Sequence, residues 1–476
     1  MLSEEKAWEK QHTNLISACK AAKRQFFFIY KQVEKMVSAL DSTLTSSIYS
    51  EKETAALFND EAEINSLLKF EKELAMAQEE LGIIPAGIGQ KIFSALDGFK
   101  ISPASLAEDY AKDGIPIPAL LKILKNELEE ETANYLHFGA TSQDALDTGL
   151  IIRVKAAIDV ITRNFDRLVD ELVSLASIHK TTVMIGRTRN QNGAPITFGL
   201  KIVNWIEPLK RQKRRLTELI PRLLVIQLGG SVGTNAALAP KGEEVAGKLA
   251  QALGLSLPVS PWHAQRDSII EFANWLSMTA GQVGKIGKDL MLLAQNEIGE
   301  ITFNNPGKSS TMPNKANPVL CETLVSLAAF CRSNADLIEQ TALISHERDG
   351  VCMTIERLAF PTLVCAASAS IVQTKTCLEN MSVNMEAIQK NINADRGLFM
   401  AEAAVFALMK FTTRKQASEL VSQACESCIS NQSHMVDELK SLSSFNLDWE
   451  SLRAPQNYLG NAQKIVEKAV HDDAHD

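Results

Sequence analysis

The segment GKSSTMPNKANP, residues 307–318, gathers hydroxyl, amine and amide side chains and contains almost nothing apolar to bury. Its glycine and prolines interrupt both helix and strand, so the sequence predicts a loop. A lysine near a serine lowers the cost of forming an alkoxide, which makes the serine a candidate base for a C–H proton beside a carboxylate. A loop that closes over a substrate would also exclude water, although a solvated loop without chemistry is the alternative. The candidate catalytic residues are Ser309, Ser310 and Lys315.

A second polar stretch, HFGATSQDALDT at residues 137–148, has the composition of a helix start. Thr141 or Ser142 can cap the first backbone amides, and Asp144 follows closely. Free amides and hydroxyls at a helix N-terminus also favour an anion such as a carboxylate. From these residues alone, a capped helix and an anion site are equally good interpretations.

Three more polar stretches carry arginine or histidine, namely GRTRNQNGAP at 186–195, PWHAQRDS at 261–268 and SHERDGVCMTIER at 345–357. Arginines can hold a carboxylate through two parallel hydrogen bonds. The alternatives are a solvated turn, a structural histidine at a helix start and an ordinary surface helix end. The candidate side chains are Arg187, Arg189, His263, Arg348 and Arg357.

The overall composition limits the classes of partner. The 476 residues carry a formal net charge of −8, which argues against general binding to nucleic acid or to an anionic membrane, while a local basic pocket could still hold a small anion. The sequence shows no run of about 18 apolar residues that would predict a membrane span. Eight cysteines are too few for a disulfide framework in so long a chain, and the N-terminus lacks a signal-peptide pattern. A cytoplasmic protein is therefore expected.

Long apolar patterns organise the centre of the chain. Apolar residues recur at spacings of three and four from Ile151 to Leu175 and from Ile269 to Leu293, which is typical of long helices in a bundle. Residues 196–226 predict another long helix, kinked or broken at its prolines. Because β-rich runs are nearly absent, the predicted class is all-α. Such helices usually need further partners, so we expect a homo-oligomer held by the two apolar seams. Further long helices are predicted at 318–344 and 351–380.

These patterns divide the chain into four predicted parts. Proline and glycine punctuate the second part, the third contains the two long seams, and the fourth has shorter helical patterns. The parts are an N-terminal extension at 1–36, a helical domain at 37–145, a central bundle domain at 146–388 with the catalytic loop at 303–318, and a C-terminal helical domain at 389–476.

Taken together and in this order, GATSQD, GRT, QLGGSVGT, RD at 266–267 and SSTMPNKANP resemble the motifs of the fumarase/aspartase lyase superfamily. The resemblance covers about residues 37–470. It implies a three-domain all-α homotetramer whose long central helices form a shared bundle, with each active site assembled from segments of three subunits. It also implies an anionic polycarboxylate substrate and no metal or organic cofactor.

Within that superfamily, HFGATSQDALDT, WHAQRD, LLAQNEIGEI, GLFMAEA and NYLGNA are most similar to the cycloisomerases that lactonise 3-carboxy-cis,cis-muconate in the protocatechuate branch of aromatic degradation. This resemblance implies addition of a carboxylate to an alkene. The alternative is β-elimination of fumarate as in adenylosuccinate lyases, since HERD with ER nine residues later is similar to their phosphate-binding segment. A homologue that kept the bundle and lost the chemistry is the competing class.

The same resemblance implies roles for individual residues. Ser309 matches the loop serine that serves as general base in the lyases, with Ser310 as the neighbouring alternative. Lys315 and Asn317 match the loop residues that hold one substrate carboxylate. The positions matched to the second carboxylate and to the pocket wall are Thr141, Ser142, Thr188 and Gln191, with His137 beside them.

Four positions depart from the superfamily pattern. Lys308 stands where a glycine usually precedes the two serines, and Asn314 and Ala316 replace two polar loop residues. Arg189 follows GRT, where hydrolytic and aminolytic lyases carry a histidine and the cycloisomerases a tryptophan. These changes predict a different substrate choice or a weakened activity.

Overall fold

The computed structural model describes residues 38–471, so the extension predicted at 1–36 lies outside the described residues. Long α-helices dominate this part of the chain, and shorter helices and three two-stranded antiparallel sheets connect them. The predicted all-α class is confirmed. Short 3-10 helices occur at Pro103–Ser105, Ala236–Leu238, Gln340–Ala342, Leu398–Met400 and Pro455–Tyr458.

The N-terminal helices are mostly short, as predicted. The exception is α3, which runs for 21 residues. The Asn59 side chain accepts a hydrogen bond from the Ala62 backbone amide at 2.8 Å and caps its first turn, and Leu67 and Leu74 lie on its buried face. The helices are α1 (Ser46–Tyr49), α2 (Lys52–Ala56), α3 (Asp60–Glu80), α4 (Ile88–Leu96), α5 (Ala107–Asp113), α6 (Ile117–Asn126) and α7 (Glu130–Ala133).

The central helices are the long elements of the fold. Helix α8 begins at Ser142, directly after the predicted cap, and continues for 37 residues. Helix α9 contains Pro208 and Pro221 and is not broken at either, because apolar side chains buried along its length offset the lost backbone hydrogen bonds. The helices are α8 (Ser142–Ile178), α9 (Phe198–Leu223), α10 (Gly242–Leu253), α11 (Asp267–Leu293), α12 (Val319–Glu339) and α13 (Gly350–Glu379).

The two apolar seams are buried inside the chain. Phe165 and Leu168 on α8 and Phe272 and Leu276 on α11 are at most 2% exposed and belong to one hydrophobic core with α9, α12 and α13. The expectation that these seams hold an oligomer is therefore wrong. Side chains that are already covered within the chain cannot also cover a partner. The exposed apolar side chains lie on other faces.

The short sheets include a hairpin that the sequence pattern did not predict. Strands β1 (Val183–Thr188) and β2 (Gln191–Thr197) meet at a two-residue turn, Arg189–Asn190, with φ angles of 52° and 62°. Both residues adopt the left-handed conformation that tight hairpin turns require. The remaining strands are β3 (Ile301–Phe303), which pairs with β6 (Met381–Val383), and β4 (Gly307–Lys308), which pairs with β5 (Ala316–Asn317).

Four of the six C-terminal helices build a separate, smaller core, with Leu408, Val421 and Met435 among its buried side chains. Ile388 and Val466, on the first and last of the six helices, instead belong to the central core. The helices are α14 (Met385–Asp395), α15 (Ala401–Leu408), α16 (Arg414–Asn431), α17 (Met435–Leu442), α18 (Trp449–Arg453) and α19 (Ala462–His471).

A third core lies around α3 to α6 and includes side chains between Ile226 and Leu253. The segment that contains α10 thus packs with the N-terminal helices, although it follows α9 in the chain. The predicted domain limits at 145 and 388 remain a prediction.

Helix α13 is the one helix within residues 38–471 that is long and apolar enough to cross a membrane. Its most apolar window has a mean hydropathy of 1.4, and 67% of that window is buried inside the molecule. Burial against α11 and α12 therefore accounts for the apolar composition of α13.

Replacing Leu168 by alanine should lower the free energy of unfolding by about 2–5 kcal/mol, because a fully buried side chain leaves a cavity. Thermal denaturation followed by circular dichroism measures the effect. Leu44 is 85% exposed, so Leu44→Ala is the matched control and should leave the melting temperature unchanged. A Leu168→Ala protein that melts like the wild type would contradict the internal burial of this seam.

Candidate active site

The N-terminus of α8 is the predicted helix start, and a buried carboxylate holds it. Asp144 accepts a hydrogen bond from the Thr141 backbone amide at 2.9 Å, and the Asp144 amide donates back to the Thr141 carbonyl at 2.9 Å. Thr141 and Ser142 remain half-buried at the end of the helix. Their hydroxyl groups therefore lie where a helix terminus favours an anion.

Asp144 also fixes two distant segments. Its Oδ1 and Oδ2 atoms accept hydrogen bonds from the backbone amides of Gly229 and Gly230, both at 2.9 Å, and Oδ1 is 2.7 Å from Nε2 of His263. A Cβ atom at Gly229 would lie 2.9 Å from Cε1 of the His263 ring, so only glycine fits there. The QLGGSVGT segment thus forms a turn around a carboxylate. His263 is predicted to bind substrate, but its Nε2 atom contacts the Asp144 carboxylate instead.

A fully paired arginine lies beside Asp144. The Arg266 guanidinium donates to both oxygens of Asp147 at 3.0 and 3.1 Å and to both oxygens of Glu356, with Nε at 2.7 Å from Glu356 Oε1. It also lies over the ring of Trp262, 4.8 Å from the centroid. All three charged side chains are less than 10% exposed. This cluster joins the polar stretches at 137–148, 261–268 and 345–357.

The charged groups in this cluster shift the pKa values of Arg266 and Glu356. Burial lowers the pKa of Arg266, but Asp147 and Glu356 more than reverse this, so the pKa is raised. Burial raises the pKa of Glu356 despite the opposing charge of Arg266. Sequence reasoning did not single out Asp147 or Glu356. The available signal was the three-residue spacing of Asp144 and Asp147, which places both carboxylates on one side of a helix.

Arg348 and Arg357, in the stretch at 345–357, have different surroundings. Arg348 donates to the Thr141 hydroxyl at 2.9 Å and to the Ser231 carbonyl at 2.9 Å, while its Nε is buried without a partner among residues 38–471. Arg357 instead pairs with Glu63 at 2.8 Å and lies over the Tyr110 ring. The structure thus brings Arg348 to the α8 N-terminus and holds Arg357 on an acidic partner.

His137 completes this end of the molecule. Its Nδ1 lies 2.6 Å from Oε1 of Glu71 on α3. Its φ angle is 61°, a conformation that non-glycine residues rarely adopt outside turns and functional sites. Burial lowers the pKa of His137, but the Glu71 and Asp144 carboxylates together outweigh this effect, so the pKa lies above its usual value.

The polar stretch at residues 186–195 lies elsewhere, on the β1–β2 hairpin. Arg187 was predicted to hold a substrate carboxylate, but both of its terminal nitrogens donate to Glu300, at 2.7 and 2.8 Å. Glu300 is 1% exposed, so this carboxylate occupies Arg187 within the chain. Thr188 and Gln191 pair across the hairpin and are exposed, next to the exposed tip residue Arg189.

The predicted catalytic loop is a short exposed hairpin. Strands β4 and β5 close its base, and the Ser309 hydroxyl accepts a hydrogen bond from the Met312 backbone amide at 3.1 Å. Ser310 and Lys315 are exposed, and within the described residues their side chains have no hydrogen-bond partner, while Asn317 is half-buried.

His137, Thr141, Ser142, His263 and Arg348 form a group at the N-terminus of α8, the α8 cluster. Within one chain, the loop does not reach this cluster. The Asn304 amide at the loop base donates to the Asn380 carbonyl just beyond α13, whereas Glu356 lies near the start of that helix. At 1.5 Å per residue, these two ends of α13 are about 35 Å apart. A fully extended run from Asn304 to Ser309 reaches only about 17 Å. Glu300 lies four residues before Asn304 and pairs with Arg187. The β1–β2 hairpin therefore lies at the same end of α13 as the loop.

The structure therefore contains two partial sites. One, the α8 cluster, is formed by His137, Thr141, Ser142, His263 and Arg348, and the other consists of the hairpin and the loop. Among residues 38–471, no group of three or more His, Cys, Asp or Glu side chains is arranged to hold a metal ion. The expectation of no metal and no organic cofactor stays a prediction.

Comparison with known families identifies two matching regions. The family model described as Lyase matches residues 45–331, and the model described as Adenylosuccinate lyase C-terminus matches residues 397–469. The first match includes the hairpin, the loop and the α8 cluster except Arg348.

Individual relatives extend the similarity over most of the chain. A 3-carboxy-cis,cis-muconate cycloisomerase of Pseudomonas aeruginosa is 36% identical over 428 residues, which is 87% of this chain and 93% of the relative. An N-acetyl-S-(2-succino)cysteine lyase of Dickeya dadantii is 29% identical over 90% of this chain and 96% of its own length. The crystal structure of the 3-carboxy-cis,cis-muconate lactonizing enzyme from Pseudomonas putida superimposes with a TM-score of 0.84 and 33% identity, covering 90% of this chain and 98% of that chain.

The Arg266 cluster predicts a strong effect on stability. Arg266→Met should lower the free energy of unfolding by about 3–5 kcal/mol, because it leaves two buried carboxylates without their cation. Thermal denaturation measures the loss. Arg332→Met removes an exposed arginine that pairs with Asp336 on the same helix, and should cost less than about 1 kcal/mol. Equal effects of the two changes would contradict the central position of Arg266.

Proposed function

This chain belongs to the lyase family, and we propose that it is a 3-carboxy-cis,cis-muconate cycloisomerase, which closes a lactone by adding a carboxylate to an alkene. The observation that carries the proposal is the α8 cluster, where a helix N-terminus, two hydroxyls and Arg348 converge. Such a group of donors suits a polycarboxylate.

In the proposed reaction, a carboxylate oxygen of the substrate attacks the β-carbon of an alkene conjugated to a second carboxylate. The new C–O bond forms as the π electrons move to the α-carbon and its carboxylate, giving an enediolate. A proton then adds to the α-carbon, so the trianionic substrate becomes a dianionic lactone. Groups that hold the second carboxylate stabilise the charge that develops there, and in many enzymes such electrostatic stabilisation supplies most of the rate enhancement.

The carboxylate-binding groups would come from both partial sites. Thr141, Ser142 and Arg348 hold one carboxylate at the α8 N-terminus, with His137 beside them. Lys315 and Asn317 on the loop hold another. Ser309 exchanges the proton with the α-carbon, with Ser310 as the alternative. The loop is suited to close over the substrate because residues 310–316 are exposed and make few contacts.

The hairpin tip would determine substrate choice. Arg189 adds a permanent cation that cannot serve as an acid near neutral pH. Together with Lys308 it adds positive charge where the superfamily pattern has neutral or titratable groups. We therefore place Arg189, Thr188 and Gln191 at the wall of the pocket, where the added charge favours a substrate rich in carboxylates.

The enzyme would act as a homotetramer with sites shared between copies. The distance of about 35 Å along α13 supports this, since the loop of one chain has to meet the α8 cluster of another. Exposed apolar side chains on α12, on α13 and between these helices offer a surface for association. They are Phe330, Leu337, Leu343, Val351 and Leu358.

A cytoplasmic location is part of the proposal. The seven cysteines among the described residues are all free, and six of them are buried. Free thiols suit a reducing compartment.

A second candidate function is β-elimination that releases fumarate, as in adenylosuccinate lyase. The match of residues 397–469 to the adenylosuccinate lyase C-terminus favours it, and so does the free Nε of Arg348 at the site. Arg357 argues against a phosphate site of that kind, because Glu63 already neutralises it.

An ultraviolet assay with 3-carboxymuconate, adenylosuccinate, argininosuccinate and fumarate tests the proposed function. We expect the highest kcat/KM with 3-carboxymuconate. Preference for adenylosuccinate would support the second candidate. A correctly folded protein that turns over none of the four would be a homologue without this chemistry.

Ser309→Ala should lower kcat on the active substrate by roughly 10²–10⁴, the usual effect of losing a positioned acid or base. KM should change little, since the carboxylate-binding groups remain. The melting temperature should change little, because the half-buried Ser309 hydroxyl accepts its hydrogen bonds from amides of the same loop. Ser310→Ala is the matched control and should lose less activity. Equal losses in both variants would leave Ser309 without a special role, and no loss in either would exclude this loop.

Leu358→Asp should disrupt the assembly and lower activity together, because an unpaired charge in an apolar contact is costly and the sites are shared. Light scattering and the same ultraviolet assay measure both effects. Ile429 is 59% exposed on α16, so Ile429→Asp is the control and should leave both unchanged. A monomeric, fully active wild type would contradict shared sites.

A further inference from the structure

Helix α3 contains a carboxylate in an unusual place. Glu71 lies on the buried face of α3, among leucines that include Leu67, Leu68 and Leu74, and its side chain is 1% exposed. Its Oε1 contacts Nδ1 of His137, whereas Oε2 has no partner among residues 38–471. A buried carboxylate with a free oxygen costs free energy, and a neutral side chain could make the same hydrogen bond at lower cost. The negative charge itself therefore requires an explanation.

The histidine on the other side of this contact has one free nitrogen. Nδ1 of His137 is used by Glu71, while Nε2 has no hydrogen-bond partner in the described part of the chain and is not fully buried. The side chain is 11% exposed. Nε2 is therefore the ring nitrogen that is free to meet a solute. His137 lies four residues before Thr141, whose hydroxyl accepts a hydrogen bond from Arg348.

Three elements contribute charges around His137. Glu71 on α3 and Asp144 on α8 favour the protonated imidazole, and Lys125 on α6 opposes it. Burial also opposes it and is the largest single effect. The combined effect of the two carboxylates is larger still, so the pKa of His137 is raised above its ordinary value of 6.5.

We propose that Glu71 is a positioning residue that keeps His137 cationic, so that the Nε2–H group binds one carboxylate of the substrate. The inference rests on the proposed function, since it needs a polycarboxylate as ligand. His137, Arg348 and Lys315 would then supply three cations for a substrate with three carboxylates. A dicarboxylate such as fumarate would leave one of these cations without a partner.

Glu71→Gln separates the charge from the hydrogen bond, because the amide oxygen can still accept from Nδ1–H. At about pH 7.5 we expect KM for 3-carboxymuconate to rise about 10-fold, with kcat nearly unchanged, since a charge-assisted hydrogen bond becomes a neutral one. In the wild type, KM should rise with pH as His137 loses its proton, and in Glu71→Gln this rise should occur at lower pH. Glu80→Gln removes an exposed carboxylate of the same helix and is the control.

His137→Gln provides a second variant with a neutral donor. It should raise KM to a similar extent, and combining it with Glu71→Gln should raise KM no further, because the carboxylate acts through the imidazole. Carbon-13 NMR of the labelled imidazoles, recorded without substrate, should show the pKa of His137 falling in Glu71→Gln.

Three outcomes would overturn the inference. They are an unchanged KM profile in Glu71→Gln, additive effects in the double variant, or a wild-type His137 that titrates below its ordinary value. If the wild type is active and Glu71→Gln matches it, the inference alone fails. If the wild type turns over no substrate of the panel, the proposed function fails and the inference fails with it.

Discussion

The fixed length of an α-helix is the constraint on which the rest of this structure depends. The two ends of α13, one beside the base of the loop at 307–318 and one at Glu356, are about 35 Å apart, and α8, with 37 residues, spans about 55 Å. Packed helices of this length cannot bend to bring their ends together. The chain therefore keeps the residues of its two candidate partial sites at opposite ends of one bundle. Association of copies is the geometric route by which such groups can meet.

Each end is organised by buried charge. At the α8 end, Asp144 gathers three backbone amides and His263, and Arg266 joins Asp147 to Glu356. At the other end, Glu300 holds Arg187 and accepts a further hydrogen bond from Asn391. Leaving a buried ion without a partner is costly, so each cluster favours one arrangement of its segments. The side chains of both candidate partial sites are thus supported by contacts within the chain.

Local sequence signals predict some of these features, whereas contacts between distant segments cannot be predicted from them. The start of α8 at Thr141 and the exposed loop were predictable, because capping residues and prolines act on their own neighbourhood. The partners of Arg187 and His137 were not, since Glu300 and Glu71 lie 113 and 66 residues away in the chain. The seam at Phe165 was found correctly as an apolar pattern. Periodicity could not tell whether a neighbouring helix or a second copy covers it.

The ion pair between Arg187 and Glu300 also affects how this protein can evolve. Glu300 fixes the hairpin two residues before its tip, and the tip residues Arg189 and Asn190 are exposed with left-handed backbone angles that the turn itself imposes. The fold therefore makes no packing demand on the side chain at position 189, although the left-handed turn favours residues that tolerate a positive φ angle. If the hairpin tip lines the pocket as proposed, single changes there would alter substrate choice while selection on folding acts elsewhere.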